Sequence, residues 1–175
     1  MKMNNSRESQ AMYYAITLDF TKEPGMIKTE DDIKGFNVYR FAEEGRLIED
    51  WPDGIVFIYD GNRTDNYWKP RLLWNLVSDR VRYVFEQYQI YGVQFLSVTV
   101  VQKQTGKSLQ YWALNVFQEV NSLRRKYVQG LDIFRVRNVP DIYISSRLRQ
   151  YLEQAGVTSG FGFIPVSART LDKES

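Results

Sequence analysis

A chain of 175 residues without a single cysteine or histidine has no disulfide, no thiolate nucleophile and no cysteine-based metal site, and it lacks both the commonest general base and the favoured zinc ligand. Its length fits one domain that buries roughly 70% of the surface its unfolded chain exposes, so no covalent staple is required. The formal net charge of +2 conceals a polarity: residues 1–66 hold 13 acidic and 8 basic side chains, and residues 67–175 hold 8 acidic and 15 basic ones, which suits a protein with an acidic and a basic face.

In chain order, MKMNNSRESQ is polar and no apolar stretch follows it, which predicts a frayed tail over residues 1–10 and no secretory signal. No run of about 18 apolar residues occurs, so the expectation is a cytoplasmic protein without membrane spans. From Tyr13 to Phe20 the residues alternate, with Tyr14, Ile16, Leu18 and Phe20 on one face and Tyr13, Ala15, Thr17 and Asp19 on the other. That is the period of a half-buried strand. Glu23-Pro24-Gly25 marks a turn, and the acidic Glu30-Asp31-Asp32 leads to a short strand over Asn37–Phe41. Trp51-Pro52-Asp53-Gly54 reads as a turn, because proline fixes φ and glycine accepts positive φ. Ile55–Tyr59 is a nearly continuous apolar run and predicts a central strand, and the polar residues 60–69 predict a surface insertion.

Val93–Val101, rich in β-branched residues, predicts a strand. Thr105-Gly106-Lys107 is a hairpin turn, and Leu109–Val120 returns as a strand with Trp112, Leu114, Val116 and Val120 on one face. The basic Arg124-Arg125-Lys126 precedes the last third, and residues 169–175 read as a tail.

Two stretches of this chain echo each other. SDRVRYVFEQ, from Ser78, matches SSRLRQYLEQ, from Ser145, and with one extra residue Gly92, Phe95 and Val98 then meet Gly160, Phe163 and Val166. Upstream, GFNVYRF (Gly35–Phe41) matches GLDIFRV (Gly130–Val136). Each helical copy places apolar residues at i, i+3, i+4 and i+7, namely Val81, Val84, Phe85 and Tyr88, or Leu148, Tyr151, Leu152 and Ala155, which gives one apolar stripe. A serine stands at each N-cap and Gly156 at the C′ position of the second helix. The opposite faces, with Arg80, Arg82, Glu86 and Gln89, or Arg147, Arg149 and Glu153, read as solvated surface. The expected fold is therefore a single α+β domain over residues 11–168: a mostly antiparallel sheet of about seven strands carrying two main helices, built from two unequal strand-helix-strand repeats at about 35–101 and 130–166.

Several stretches together resemble a family of immunity proteins from bacterial polymorphic-toxin systems, the family numbered eleven in that scheme and formerly a domain of unknown function. They are the Tyr13-Tyr14 strand ending at Asp19, Asp31-Asp32-Ile33 with Tyr39-Arg40-Phe41, Glu44-Gly45 with Ile48-Glu49-Asp50-Trp51-Pro52, Gly92-Val93-Gln94-Phe95, and the closing Gly160–Val166. The match spans roughly residues 12–168. Ser97 departs from the pattern of its own echo, which has Pro165. The resemblance implies a protein that binds and blocks a cognate toxin in the cytoplasm, by occluding its active site or holding it inactive, with no chemistry, cofactor or metal of its own.

Tight inhibitors centre on buried aromatic and arginine anchors, and the sequence offers two places for them. Trp51 lies among Glu43, Glu44, Glu49, Asp50 and Asp53, which together suit a basic cleft; the alternative is a Trp that plugs the edge of the core under a turn. Tyr67, Trp68 and Arg71 sit in an insertion absent from the second repeat; the alternative there is a loop folded back with Trp68 buried. A different class of function, nucleic-acid binding, would use Arg124, Arg125, Lys126, Tyr127, Arg135, Arg137, Arg147 and Arg149, although no helix-turn-helix, zinc-finger, RNP or KH pattern accompanies them. An enzyme built on carboxylates has no paired acids at a convincing spacing and no glycine-rich phosphate cradle.

Overall fold

A computed structural model of the protein describes residues 12–19, 26–29, 46–61, 65–69 and 74–171. Eleven strands fall among them: β1 (Tyr13–Leu18), β2 (Met26–Thr29), β3 (Val56–Asp60), β4 (Tyr67–Trp68), β5 (Leu76–Ser78), β6 (Val93–Gln102), β7 (Ser108–Val116), β8 (Glu119–Val120), β9 (Ile133–Val136), β10 (Ile142–Ser145) and β11 (Phe161–Pro165). Two nine-residue helices, α1 (Asp79–Gln87) and α3 (Ser146–Gln154), stand with two single turns, α2 (Arg125–Val128) and α4 (Ala168–Leu171). The architecture is α+β, as the sequence predicts, but the strands form two sheets instead of one, in the orders β11-β1-β10-β9-β8 and β2-β3-β6-β7-β5-β4. Most pairings are antiparallel; β3 with β6 and β8 with β9 are parallel. The expected strand over Asn37–Phe41 lies outside the described residues.

The two main helices form where the sequence places them, and for the same local reasons. The Ser78 hydroxyl accepts from the N–H of Val81, and that of Ser145 from Leu148, each satisfying one of the orphan donors of a first turn. Both helices end alike. Gln89 and Ile90 N–H donate to Glu86 and Phe85 carbonyls, as Gly156 and Val157 donate to Glu153 and Leu152, the paired bonds of a Schellman motif. The left-handed C′ position is held by Gly156 at φ 64° but by Gln89 at φ 52° in the first helix.

One four-strand arrangement recurs in both sheets. In β6-β7-β5-β4, Phe95 faces Leu114, Ala113 faces Leu76, and Val77 faces Tyr67. In β11-β1-β10-β9, Phe163 faces Ile16, Ala15 faces Tyr143, and Ile144 faces Ile133. The helix that follows β5 or β10 lays an arginine over an aromatic ring of the second strand: Arg82 is 4.2 Å from the Trp112 centroid and Arg149 is 4.4 Å from that of Tyr14. Ser78 and Ser145 N–H donate to the carbonyls of Asn66 and Asp132. Tyr67-Trp68 therefore takes the place in its sheet that Ile133-Phe134 takes in the other, so it is not an insertion without a counterpart. The returning strand expected to run to Val120 also breaks, at Phe117-Gln118, where both N–H groups donate to the Gly92 carbonyl. The chain there leaves one sheet for the other, and Val120 packs in a different core from Leu114 and Val116.

Three apolar clusters hold the layers together. The central one takes residues from both sheets and both main helices, including Tyr14, Ile16, Tyr67, Val81, Phe85, Leu114, Leu148, Leu152 and Phe161. A second covers the opposite face of the larger sheet, around Phe57, Tyr59, Trp68, Trp74 and Val100. A third covers the opposite face of the smaller one, around Tyr13, Phe134, Val136 and Tyr143. Each sheet is thus covered on both sides, which explains why short strands such as IFRV and IYIS are buried along their whole length.

Two consequences can be measured. Gly160 has φ 85°, and a Cβ there would lie 2.1 Å from the Tyr67 carbonyl oxygen, whereas Gly156 at φ 64° has nothing within 4 Å. Gly156→Ala is expected to cost about 1–2 kcal/mol for the left-handed backbone alone, and Gly160→Ala at least about 3 kcal/mol more, or to prevent folding, in urea titrations. Burial raises the phenol pKa of Tyr67 and of Tyr111 above the ordinary 10.0, with Asp141 adding to the first and Asp65, then Tyr59, to the second. The folded chain keeps protons that the unfolded chain releases above about pH 10, so stability is intact below that pH and falls as pH rises past it. Thermal melts from pH 7 to 11.5 should show the drop beginning near pH 10. Tyr67→Phe should lessen it while costing about 1–2 kcal/mol at neutral pH, because the Asn75 Oδ1 that the hydroxyl donates to at 2.8 Å loses its partner.

Candidate functional site

The loop Arg46–Asp53 is laid along the outer side of β6 and bound there by polar side chains. The Gln94 amide reads the backbone of Ile48 in both directions, accepting from its N–H at 3.0 Å and donating to its carbonyl at 2.7 Å. Asn115, 3% exposed, donates to the Arg46 carbonyl at 2.6 Å and to Gln94 Oε1 at 3.1 Å. At the far end, the Trp51 indole N–H donates to the Ser97 carbonyl at 2.9 Å, and its ring meets Trp74 edge-on at 5.8 Å. Pro52 follows, Gly54 turns the chain at φ 75°, and the Ile55 carbonyl accepts from Thr99 N–H to start β3. Eight residues with no regular structure of their own are thereby held in one conformation, with Leu47, Glu49, Asp50 and Asp53 exposed.

Trp51 is half-buried against the second core cluster. It plugs the edge of that core under the Pro52–Gly54 turn, with part of its surface left exposed next in sequence to the exposed Asp50. Tyr67 and Trp68 are placed otherwise. They are 0% and 2% exposed; Tyr67 stacks on Phe161 at 4.4 Å, and Trp68 is sandwiched between Tyr59 and Tyr111 at 5.0 and 4.5 Å. Both are interior residues, the folded-back alternative, and in this conformation they offer no surface to a partner. Glu43, Glu44 and Arg71 lie outside the described residues.

Gln94 and Asn115 hold the loop; the sequence marks Gln94 only as part of the Gly92–Phe95 resemblance and does not mark Asn115. Their signal was available in Asn115, a polar residue flanked by Leu114 and Val116 inside an otherwise apolar strand, since a buried amide needs partners. Exposed tyrosines were missed as well: Tyr83 is 63% and Tyr91 79% exposed, and Tyr88 stacks on Tyr151 across the two helices at 3.6 Å.

Four of the arginines in the second half are paired or enclosed. Arg137 pairs with Glu119, Arg147 with Asp132 and Arg149 with Glu153, and Arg135 is buried. These four side chains do not form an open basic track for phosphates. Among the described residues no group of three acidic, histidine or cysteine side chains could hold a metal ion, and no helix is long and apolar enough to cross a membrane.

Trp51 can be tested as an anchor of its own loop. Trp51→Phe keeps a ring against Trp74 and loses the bond to Ser97, for an expected loss of about 1 kcal/mol. Trp51→Ala removes both and should lose about 3 kcal/mol in chemical denaturation, in line with truncating a packed aromatic.

No protein of curated function matches the chain. A model of the Immunity protein family (Imm11) matches residues 2–126, more than half of the 175. That span contains β1 to β8, α1 and the whole of the pinned Arg46–Asp53 loop. The chain belongs to the Imm11 immunity protein family.

Proposed function

We propose that this protein protects its cell by binding a cognate toxin of a polymorphic-toxin system in the cytoplasm and occluding its active site, and that it does so without chemistry of its own. One observation carries the reading beyond family membership: a loop with three exposed carboxylates and an exposed leucine around a half-buried Trp is fixed in advance by Gln94, Asn115 and the Ser97 carbonyl. Such pre-organisation lowers the ordering cost of association. Carboxylates on a rigid rim complement a cationic cleft and speed encounter with it. A cleft of that kind is what a toxin acting on an anionic substrate needs.

We further infer that the chain is two unequal copies of one unit, as the strand-helix-strand echo suggests, with the shared strands and helices serving as scaffold. What the copies do not share then carries partner specificity, and the Arg46–Asp53 loop is such a feature.

The test is co-expression with the toxin domain encoded in the adjacent reading frame, followed by co-purification and a growth assay. Wild type should rescue growth and co-purify. The triple variant Glu49→Lys, Asp50→Lys, Asp53→Lys, altered only at exposed positions, should keep its melting temperature and bind the toxin at least ~10-fold more weakly, an effect of the size seen for charge reversal at steered interfaces. A folded triple variant that still neutralises fully would remove the loop from the interface.

A further inference from the structure

The recurring four-strand arrangement allows the two sheets to be compared at their edges. Beyond β6 the larger sheet continues with β3 and β2, which pair with the second half of β6, while the Arg46–Trp51 stretch lies beside its first half at Gln94 and Ser97. Beyond β11, the strand in the equivalent position, no further strand follows among the described residues. The direction of each backbone group on β11 follows from its ladder with β1. Asp19 N–H donates to the Gly160 carbonyl and Val166 N–H to the Tyr13 carbonyl. Because hydrogen-bonded pairs alternate in an antiparallel ladder, Gly160, Gly162, Ile164 and Val166 face β1, and Phe161, Phe163 and Pro165 face outward. Phe161 N–H is already spent on the Thr158 carbonyl, and proline has none. The outer edge therefore carries the carbonyls of Phe161, Phe163 and Pro165 against one N–H, that of Phe163; Phe161 is buried against Tyr67, and the accessible part of the edge is at Phe163 and Pro165. Ile164, 56% exposed, and Pro165 stand beside it.

On the reading of this chain as a toxin-binding immunity protein, we propose that the outer edge of β11 receives an extended segment of the toxin as an added strand, and that this segment carries N–H donors in side chains such as arginine, lysine or tryptophan. The occupant follows from two observations. Beside the equivalent part of β6 this chain lays its own loop, which runs in the direction of β6, is gripped by the Gln94 side chain and places a tryptophan N–H on the Ser97 carbonyl, the group that corresponds to the Pro165 carbonyl. Three acceptors facing one donor also exclude a second copy of β11. An antiparallel self-pairing centred on Phe163 would set each Phe161 carbonyl opposite a Pro165 that cannot donate, leaving two bonds in all. Pro165 thus guards the edge against self-association, as proline does on edge strands, while leaving its carbonyl to a partner with donors to spare.

The experiment uses the full chain and the adjacent-frame toxin domain. Binding is titrated for wild type and for Ile164→Lys, a change at an exposed side chain that should leave the melting temperature unaltered. Amide exchange of Phe163 is followed by NMR, free and in the complex, with the Ile164 amide, already facing β1, as internal reference. Slowing of Phe163 exchange by ~10-fold or more in the complex, together with ~10-fold weaker binding by Ile164→Lys, supports the proposal. Full-affinity binding by Ile164→Lys with Phe163 exchanging as in the free protein overturns the edge as a docking site and leaves the immunity reading standing. No binding by wild type overturns that reading and this one with it.

Discussion

Gly160 and the carbonyl of Tyr67 make the contact on which the rest of the fold depends. The backbone of residues 159–161 approaches β4 so closely that only hydrogen fits between them. Within the same few ångströms Asn66 and Tyr67 N–H both donate to the Ser159 carbonyl, the Asn66 side chain donates to the Ser159 hydroxyl, and Tyr67 stacks on Phe161. Here an edge of the larger sheet is sewn to the start of the last strand of the smaller one. Everything in the central cluster lies behind that seam. If it opened, two helices with one apolar stripe each would face water, and neither is long enough to persist alone.

The recurrence of one strand arrangement makes this seam intelligible. If the chain is two copies, each begins with a similar stretch, YYAITL in β1 and YWALNV in β7. Yet β7 pairs with β5 and β6 of the first copy, and β1 with β10 and β11 of the second. The leading strands are exchanged. The exchange has a local cause at one end: the Gly106 turn returns the chain directly from β6 into β7, a two-strand closure far cheaper in loop entropy than any pairing β7 could make at a distance. β1 is left to close the second sheet from more than a hundred residues away, as its Tyr13 hydroxyl bond to the Val128 carbonyl illustrates. An intertwined pair of this kind has no interface along which the copies could part, so the two sheets unfold together.

The physics of the sequence explains what could be read from it. Helix periodicity, serine caps, the Gly156 terminus, the Thr105-Gly106 turn and the alternation in Tyr13–Leu18 are local signals, and each element stands where its signal lies. β5 and β10 carry only three or four residues, too few to show a period, and they take their strand character from neighbours on both sides. The polar stretch around Asn66 looked like a surface insertion because its two buried aromatics are surrounded by polar residues that serve the seam. Trp51 could be read as an anchor from its neighbours, but the groups that hold its loop, Gln94 on Ile48 and the Ser97 carbonyl on Trp51 itself, are more than forty residues away in sequence.

The two edges of the recurring arrangement are where chemistry diverges. At β6 an outward serine carbonyl is matched by the chain's own tryptophan, and an amide side chain at Gln94 holds the loop that carries it. The equivalent positions on β11 are Pro165 and Gly162. Gly162 has no room for a side chain, since a Cβ would lie 2.7 Å from the Leu18 carbonyl, so no internal loop can be gripped there as Gln94 grips Ile48. The edge at β6 is thus met by residues that bind its own chain, and the edge at β11 carries residues that can neither hold a loop nor pair with themselves. That difference does nothing for the core, to which both four-strand arrangements contribute. It matches the proposed role of β11 as an edge at which a partner, and not the chain itself, supplies the missing donors.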